Sequence, residues 1–194
     1  LAQVDNLYSF EFDGADSIMD LGADVLFDST GGFSFSAWVY LDAFSNFYPG
    51  VINLITDQAT SFLIMVSNAG AYAGVNFGSS NNFARARTNG DISGDFITTW
   101  KHICVTFDGV DRADSSSYKI YVDGVSATLT TTGAFGASSN TANTIAWSGI
   151  SNFYWNGKID EVGIFNAALT SSEVQSIYNA TTTGKTADLS ALST

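Results

Sequence analysis

The nine residues Phe33-Ser34-Phe35-Ser36-Ala37-Trp38-Val39-Tyr40-Leu41 restrict this chain more than any other stretch. Alternation places Phe33, Phe35, Ala37, Val39 and Leu41 on one face of a strand and Trp38 and Tyr40 on the other. Both faces carry bulk, so the strand belongs in the middle of a sheet with material on each side. Around it, Val51 to Thr56, Phe62 to Ser67, Tyr72 to Phe77 and Phe83 to Arg87 read as short antiparallel strands at near-regular spacing. Trp100 to Phe107 reads as another long strand, with Trp100, His102, Cys104 and Thr106 on one face and Ile103, Val105 and Phe107 on the other. Tyr118 to Val122, Asp123-Gly124 and Val125 to Thr131 predict a hairpin with an Asp-Gly turn. Tyr8 to Phe12 alternates as a first strand, and Thr144 to Trp147 is a short late one.

Composition agrees with an all-β domain. The 194 residues include 18 Gly and a single Pro, and apolar runs are separated by Gly, Ser, Asn and Asp clusters. A 45% hydrophobic content is that of a globular chain with a full core. No apolar run approaches the roughly 20 residues that span a bilayer, so membrane insertion is not expected. The formal charge of −12 leaves no basic stripe to displace counterions, which excludes nucleic acid as an expected partner. Cys104 is the single cysteine, so the chain holds no internal disulfide. Leu1 to Asn6 lack both a starting Met and the basic region of a signal peptide, so a fragment or processed product is expected.

The chain closes on a strand, Gly157 to Asn166, and then a helix. Alternation puts Ile159, Glu161, Gly163 and Phe165 on one strand face, and Asp160, Val162, Ile164 and Asn166 on the other. Thr170 is a good N-cap and Glu173, three residues on, completes a capping box. Val174, Ile177 and Tyr178 follow as one apolar stripe.

Four motifs occur in order: Phe12-Asp13-Gly14, Trp100 to Gly109, Tyr121-Val122-Asp123-Gly124, and Ile159 to Glu173. With these the chain resembles the laminin-G-like branch of the concanavalin A-like lectin/glucanase superfamily. The resemblance implies an all-β, two-sheet antiparallel jelly-roll sandwich over residues 1–180. It also implies a short strand near Asp20-Leu21-Gly22, one short C-terminal helix over Ser171 to Asn179, and a polar tail or linker over 181–194.

Three kinds of chemistry follow as expectations. Some members of the superfamily hydrolyse glycosides with a pair of carboxylates on one strand face, and retaining chemistry sets these about 5–5.5 Å apart. This chain has only Glu11, Glu161 and Glu173 as glutamates, and Glu173 is committed to a cap, so no catalytic role is expected. His102 and Cys104 share a strand face, but the resemblance gives that His a packing role. The family commonly holds calcium between its first and last strands, which implies Asp13 and Asp160 as ligands with Asp16 nearby. The alternative reading has Asp13 making a turn and Asp160 bonding backbone amides.

Lectin-like sandwiches also stack sugars on exposed aromatics, and Tyr48, Trp147, Tyr154 and Trp155 lie in or beside loops. Core packing is the commoner fate of any one aromatic. Arg85 and Arg87, two apart on one strand face, form a candidate anion site for an acidic glycan. The expected partners are therefore a glycan or other protein subunits of a larger assembly. The Gly184-Lys185-Thr186-Ala187-Asp188-Leu189 tail and the small-residue texture resemble laminin-G-like modules of marine bacteriophage structural proteins. A virion-surface or fibre component is one expected setting; a calcium-dependent adhesion or carbohydrate-binding module of a larger secreted protein is the other.

Overall fold

Phe33–Leu41 forms β3, the second-longest strand among the described residues, and both of its faces are covered. The computed structural model describes residues 8–22, 31–55, 61–68, 74–79, 86–111, 114–131, 143–147 and 152–181. The remaining strands are β1 (Phe10–Asp13), β2 (Met19–Asp20), β4 (Gly50–Ile55), β5 (Ser61–Ser67), β6 (Gly74–Ser79) and β7 (Ala86–Thr88). They continue as β8 (Trp100–Phe107), β9 (Tyr118–Val122), β10 (Val125–Ser126), β11 (Leu129–Thr131), β12 (Thr144–Ile145) and β13 (Asn156–Phe165). One helix, α1 (Ser171–Thr181), follows. The strands build two antiparallel sheets, one in the order β1-β13-β3-β8-β9-β10 and one in the order β11-β7-β6-β5-β4-β12-β2. The expected sandwich is present.

The sheets face each other through the alternation that the sequence sets. Phe33, Phe35, Ala37, Val39 and Leu41 of β3, with Ile103, Val105 and Phe107 of β8, meet Ile52, Leu54, Phe62, Ile64 and Val66 of the other sheet. Phe33 and Phe62 stand edge to face at 4.9 Å across this interface, the arrangement that the ring quadrupoles favour.

Two strand readings change. The run Val125 to Thr131 is not one strand. Val125 and Ser126 stay with β9, but Leu129 to Thr131 cross to pair with β7 in the other sheet. Ala127 N–H still donates to the Ile120 carbonyl, while the Thr128 carbonyl already accepts from Asn89 N–H, so the switch occurs between two adjacent residues. In β13 the register slips between Asp160 and Gly163, where Glu161 sits at φ 49°. Two residues, Glu161 and Val162, occupy the space opposite Ala37. Such a bulge reverses the alternation. Ile159 therefore faces the main core, whereas Gly163 and Phe165 face outward opposite Ser36 and Ser34.

That outward face is covered by α1. Cys104, Tyr121, Leu169, Val174 and Ile177 form a second buried cluster, with Phe165 packed against it. The predicted cap is made: Glu173 Oε2 accepts from Thr170 N–H at 2.7 Å, and Glu173 N–H donates to Thr170 Oγ1. Ser34 Oγ donates to the Ala167 carbonyl and accepts from Leu169 N–H, both at 2.8 Å, tying the entry of the helix to β3. Asp123 at φ 50° and Gly124 at φ 75° make the tight turn that an Asp-Gly pair favours. A Cβ on Gly124 would lie 2.9–3.0 Å from Gln175 Nε2 and the Tyr178 ring, so glycine also lets the helix lie down.

His102 lies wholly buried under this helix. Its Nε2 and Ser36 Oγ are 2.8 Å apart, and the Trp38 and Tyr178 rings flank it at 5.6 and 5.8 Å. Its Nδ1 has no partner among the described residues. Burial pushes its pKa down to about 4, partly offset by the Asp123 carboxylate. Cys104, also fully buried, has its thiol pushed up by the same desolvation. The unfolded chain takes a proton on this histidine near 6.5, but the folded one only near 4. Stability is therefore expected to fall as pH drops from about 6.5 to about 4, by about 3 kcal/mol in total. Urea midpoints at pH 7, 5.5 and 4 check this, and His102→Gln should flatten that part of the profile.

Candidate functional site

The loop 42–49, between β3 and β4, meets the segment that leads into β13 at one end of the sandwich. Asn46 joins them. Its side-chain Nδ2 donates to the carbonyls of Asn152 and Tyr154 at 3.3 and 3.2 Å, and its Oδ1 accepts from Tyr48 N–H at 3.0 Å. Gly50 N–H donates to the Phe153 carbonyl, and Asn68 N–H to the Phe47 carbonyl, so β4 and the end of β5 join the same network. On the other side Asp42 N–H donates to the Asn156 carbonyl.

This frame gathers aromatic rings from positions a hundred residues apart. Tyr48 and Phe153 meet edge to face at 5.2 Å. Trp147 and Tyr154 stack at 5.7 Å with their planes 12° apart, and their backbones form an isolated antiparallel bridge. Ala146, at φ 70°, ends β12 just before Trp147. A residue with a Cβ occupies that region only under constraint, and here its N–H donates to Val51 while its carbonyl accepts from Trp155. Tyr48, Trp147, Phe153 and Tyr154 are all half-buried, and Phe47 beside them is 65% exposed. Sequence reading singled out Tyr48, Trp147 and Tyr154 but not Asn46 or Phe153. An Asn two residues before Tyr48 is the signal that could have found this side-chain-to-backbone turn.

Trp155 does not belong to this surface. It is fully buried in the main core and its Nε1 donates to the Tyr40 carbonyl at 3.1 Å. Adjacent strand residues point to opposite sides, so Tyr154 on the surface requires Trp155 inside.

The expected calcium ligands do not converge. Asp13 stands opposite Asn156 in the β1–β13 ladder, while Asp160 lies four residues further along β13. At about 3.3 Å per residue they are roughly 13 Å apart. Asp13 Oδ1 instead accepts from the N–H groups of Ala15, Asp16 and Ser17, bonds that hold its pKa near 2. Asp160 Oδ1 accepts from Glu161 N–H. Among the described residues no three His, Cys, Asp or Glu side chains are placed to share a metal. The three aspartates thus do not fit one cation as a set.

Of the candidate anion pair only Arg87 is described. Arg85 lies outside the described residues. Arg87 stands in a cross-strand row, Arg87–Asn76–Met65–Gly50, on the side of the seven-stranded sheet away from the core. Its Nη1 donates to the Thr88 carbonyl. Met65, between Arg87 and Gly50, is 1% exposed, so that face is closed between the arginine and the rings.

A laminin G-type family model, described as the concanavalin A-like lectin/glucanases superfamily, matches residues 13–175. The chain belongs to that superfamily. Solved structures of similar fold confirm the architecture of this laminin-G-like domain. One is domain 4 of AbnA, an extracellular arabinanase of Geobacillus stearothermophilus solved with arabinotriose. It is 18% identical, with a TM-score of 0.54 over 90% of this chain and 79% of that one. Another is a heptameric SAP-like pentraxin of Limulus polyphemus, 13% identical, with a TM-score of 0.50 over 78% of this chain and 71% of that one. A third is the binding domain of Paraclostridial Mosquitocidal Protein 1, 16% identical, with a TM-score of 0.52 over 92% of this chain and 47% of that one. No curated protein sequence matches. No helix among the described residues is long and apolar enough to cross a membrane.

The Asn46 side chain is expected to hold the ring cluster of this laminin-G-like domain together. Asn46→Asp keeps the shape but turns an oxygen toward the two carbonyls that Nδ2 now serves. The Asn152 carbonyl is exposed and can turn to water, but leaving the part-buried Tyr154 carbonyl unpaired costs about 1 kcal/mol. A lower melting temperature together with loss of the near-ultraviolet circular dichroism of Trp147 and its neighbours is expected. An unchanged spectrum would show that the rings do not depend on this side chain.

Proposed function

We propose that this domain is a non-catalytic recognition module that binds glycan on the ring cluster of Tyr48, Trp147, Phe153 and Tyr154. One observation carries the reading. Two loops distant in sequence are fastened together by Asn46, and there Tyr48 meets Phe153 while Trp147 stacks on Tyr154, each of the four rings half open to solvent. Rings of this kind offer flat apolar faces to the C–H side of a sugar, and nearby amides and carbonyls orient its hydroxyls. Asn152 and Ser45, both exposed at the rim, supply such groups. A domain of similar fold was solved with arabinotriose, and another is named a binding domain; both are in keeping with a binding role.

The absence of catalysis is supported by the placement of the carboxylates. The segments that carry the rings, 42–49, 146–147 and 152–156, hold Asp42 as their one acid. Glu173 takes both Thr170 donors, Glu161 sits in the β13 bulge, and Glu11 stands opposite Lys158. The domain works outside the cell or on a virion surface, as a decoration or fibre part of a larger assembly, where an acidic exterior keeps particles apart.

A glycan array is expected to show saccharide binding. For the best binder, Tyr48→Ala and Tyr154→Ala should each weaken affinity about tenfold or more, the equivalent of ~1.4 kcal/mol, and leave the melting temperature within a few degrees of the parent. An array without any bound saccharide sinks the proposal; so does binding that survives loss of both tyrosines.

A further inference from the structure

We infer that the sandwich edge beside the β13 bulge takes an extended segment of a partner protein, added as a strand along β13 with one apolar side chain in the cavity beneath it. This surface is separate from the ring cluster. β1 is the outermost strand of the six-stranded sheet and is much shorter than β13, which it flanks. Its ladder ends where Phe10 stands opposite Ile159. Gly163, Ile164 and Phe165 pair with β3 on one side, and no described strand lies on the other. Successive residues of an antiparallel strand turn their N–H and C=O to alternate sides. Every second residue of that stretch therefore directs both groups away from β3, and these are what an incoming strand bonds.

The side chains at this edge are open as well. Ile164 stands opposite Phe35, so it faces the space between the sheets, yet it is 39% exposed. Val162 and Phe10 are 37% and 61% exposed. On the facing sheet the last strand, β2, has only two residues to cover them. Between the two edges lies a cavity of about 170 Å³. Phe10 and Phe12 of β1, Met19 of β2, Ile145 of β12 and Ile159 and Val162 of β13 line it, and the bulge at Asp160 and Glu161 completes its wall. A space of that size holds one benzene-sized group, and apolar side chains gathered in the open mark a contact surface. Charge selects the occupant. The four strands around the cavity carry Glu11, Asp13, Asp20, Asp160 and Glu161 against Lys158. A second copy would bring the same excess and a formal charge of −12, which keeps copies apart. A segment with Lys or Arg on either side of one aromatic or branched apolar residue suits the edge and the cavity together. Alternation sends its apolar residue inward and its basic neighbours outward.

The test titrates the intact chain with acetylated peptides of the pattern Lys-Val-Lys-Z-Lys-Val, where Z is Phe, Leu or Ala, and with counterparts that carry Glu in place of Lys. The Phe or Leu member is expected to bind about tenfold more tightly than both the Ala member and its own Glu counterpart, and to weaken as salt rises. Amide hydrogen exchange within Gly163–Phe165 should slow in the complex, a readout that a side chain seated in the cavity without an added strand would not give. Val162→Arg should remove binding while the melting temperature stays within a few degrees of the parent. Four results overturn the inference. One is no binding by the Phe and Leu members at about 1 mM; another is binding without slowed exchange. A third is sedimentation of the chain alone as a dimer that Val162→Arg separates, which gives the edge to a second copy. The fourth is binding that appears only after deletion of residues 1–7, which gives the edge to the chain's own start.

Discussion

Burial of β3 on both faces is the constraint on which the rest of the domain depends. One face feeds the core between the sheets, and the other supports α1 and the residues under it. The strand is flanked by β13 and β8, so it has no free edge. A central strand of this kind leaves its neighbours little freedom. Their apolar residues must match its alternation, because a slip of one residue turns every side chain to the wrong side. The bulge in β13 uses this rule. By inserting one residue it lets the same strand send Ile159 into the main core and Phe165 beneath the helix. A straight strand would leave one of those layers without its apolar residue.

The second layer contains the chain's one histidine and one cysteine, both fully buried. Desolvation disfavours the charged form of each, in opposite pKa directions. His102 is held by one hydroxyl and two rings rather than by a carboxylate, and its neutral form is part of the packing. The proposed binding surface lies at the end of the sandwich, where loops need not obey strand alternation and the Asn46 side-chain amide does the fastening. The separation is physical: the sheets supply rigidity, and the loops mounted on them carry the rings.

Much of the fold was legible because period and punctuation agree. The limits of β3, β8 and β9 match the reading of alternation, and the Thr170–Glu173 box fixed the start of the helix. The split of Val125 to Thr131 was not legible, since strand propensity does not say which sheet a strand joins. The bulge was hidden for a related reason: Glu161 and Val162 alternate as any strand would, and only pairing with β3 shows that both stand opposite Ala37.

The site divides the same way. The sequence by itself determined the main strands, the capped helix, the acidic composition and the presence of Tyr48, Trp147 and Tyr154 in or beside loops, because these follow from local pattern and composition; the two-sheet sandwich was implied by the family resemblance of its motifs. Only the tertiary structure decided that Tyr48 meets Phe153 and Trp147 stacks on Tyr154, that Trp155 is core, and that Asp13 faces Asn156 rather than Asp160. Those outcomes depend on register between strands far apart in the chain. Register is set by the whole ladder and the core behind it, which no local stretch encodes.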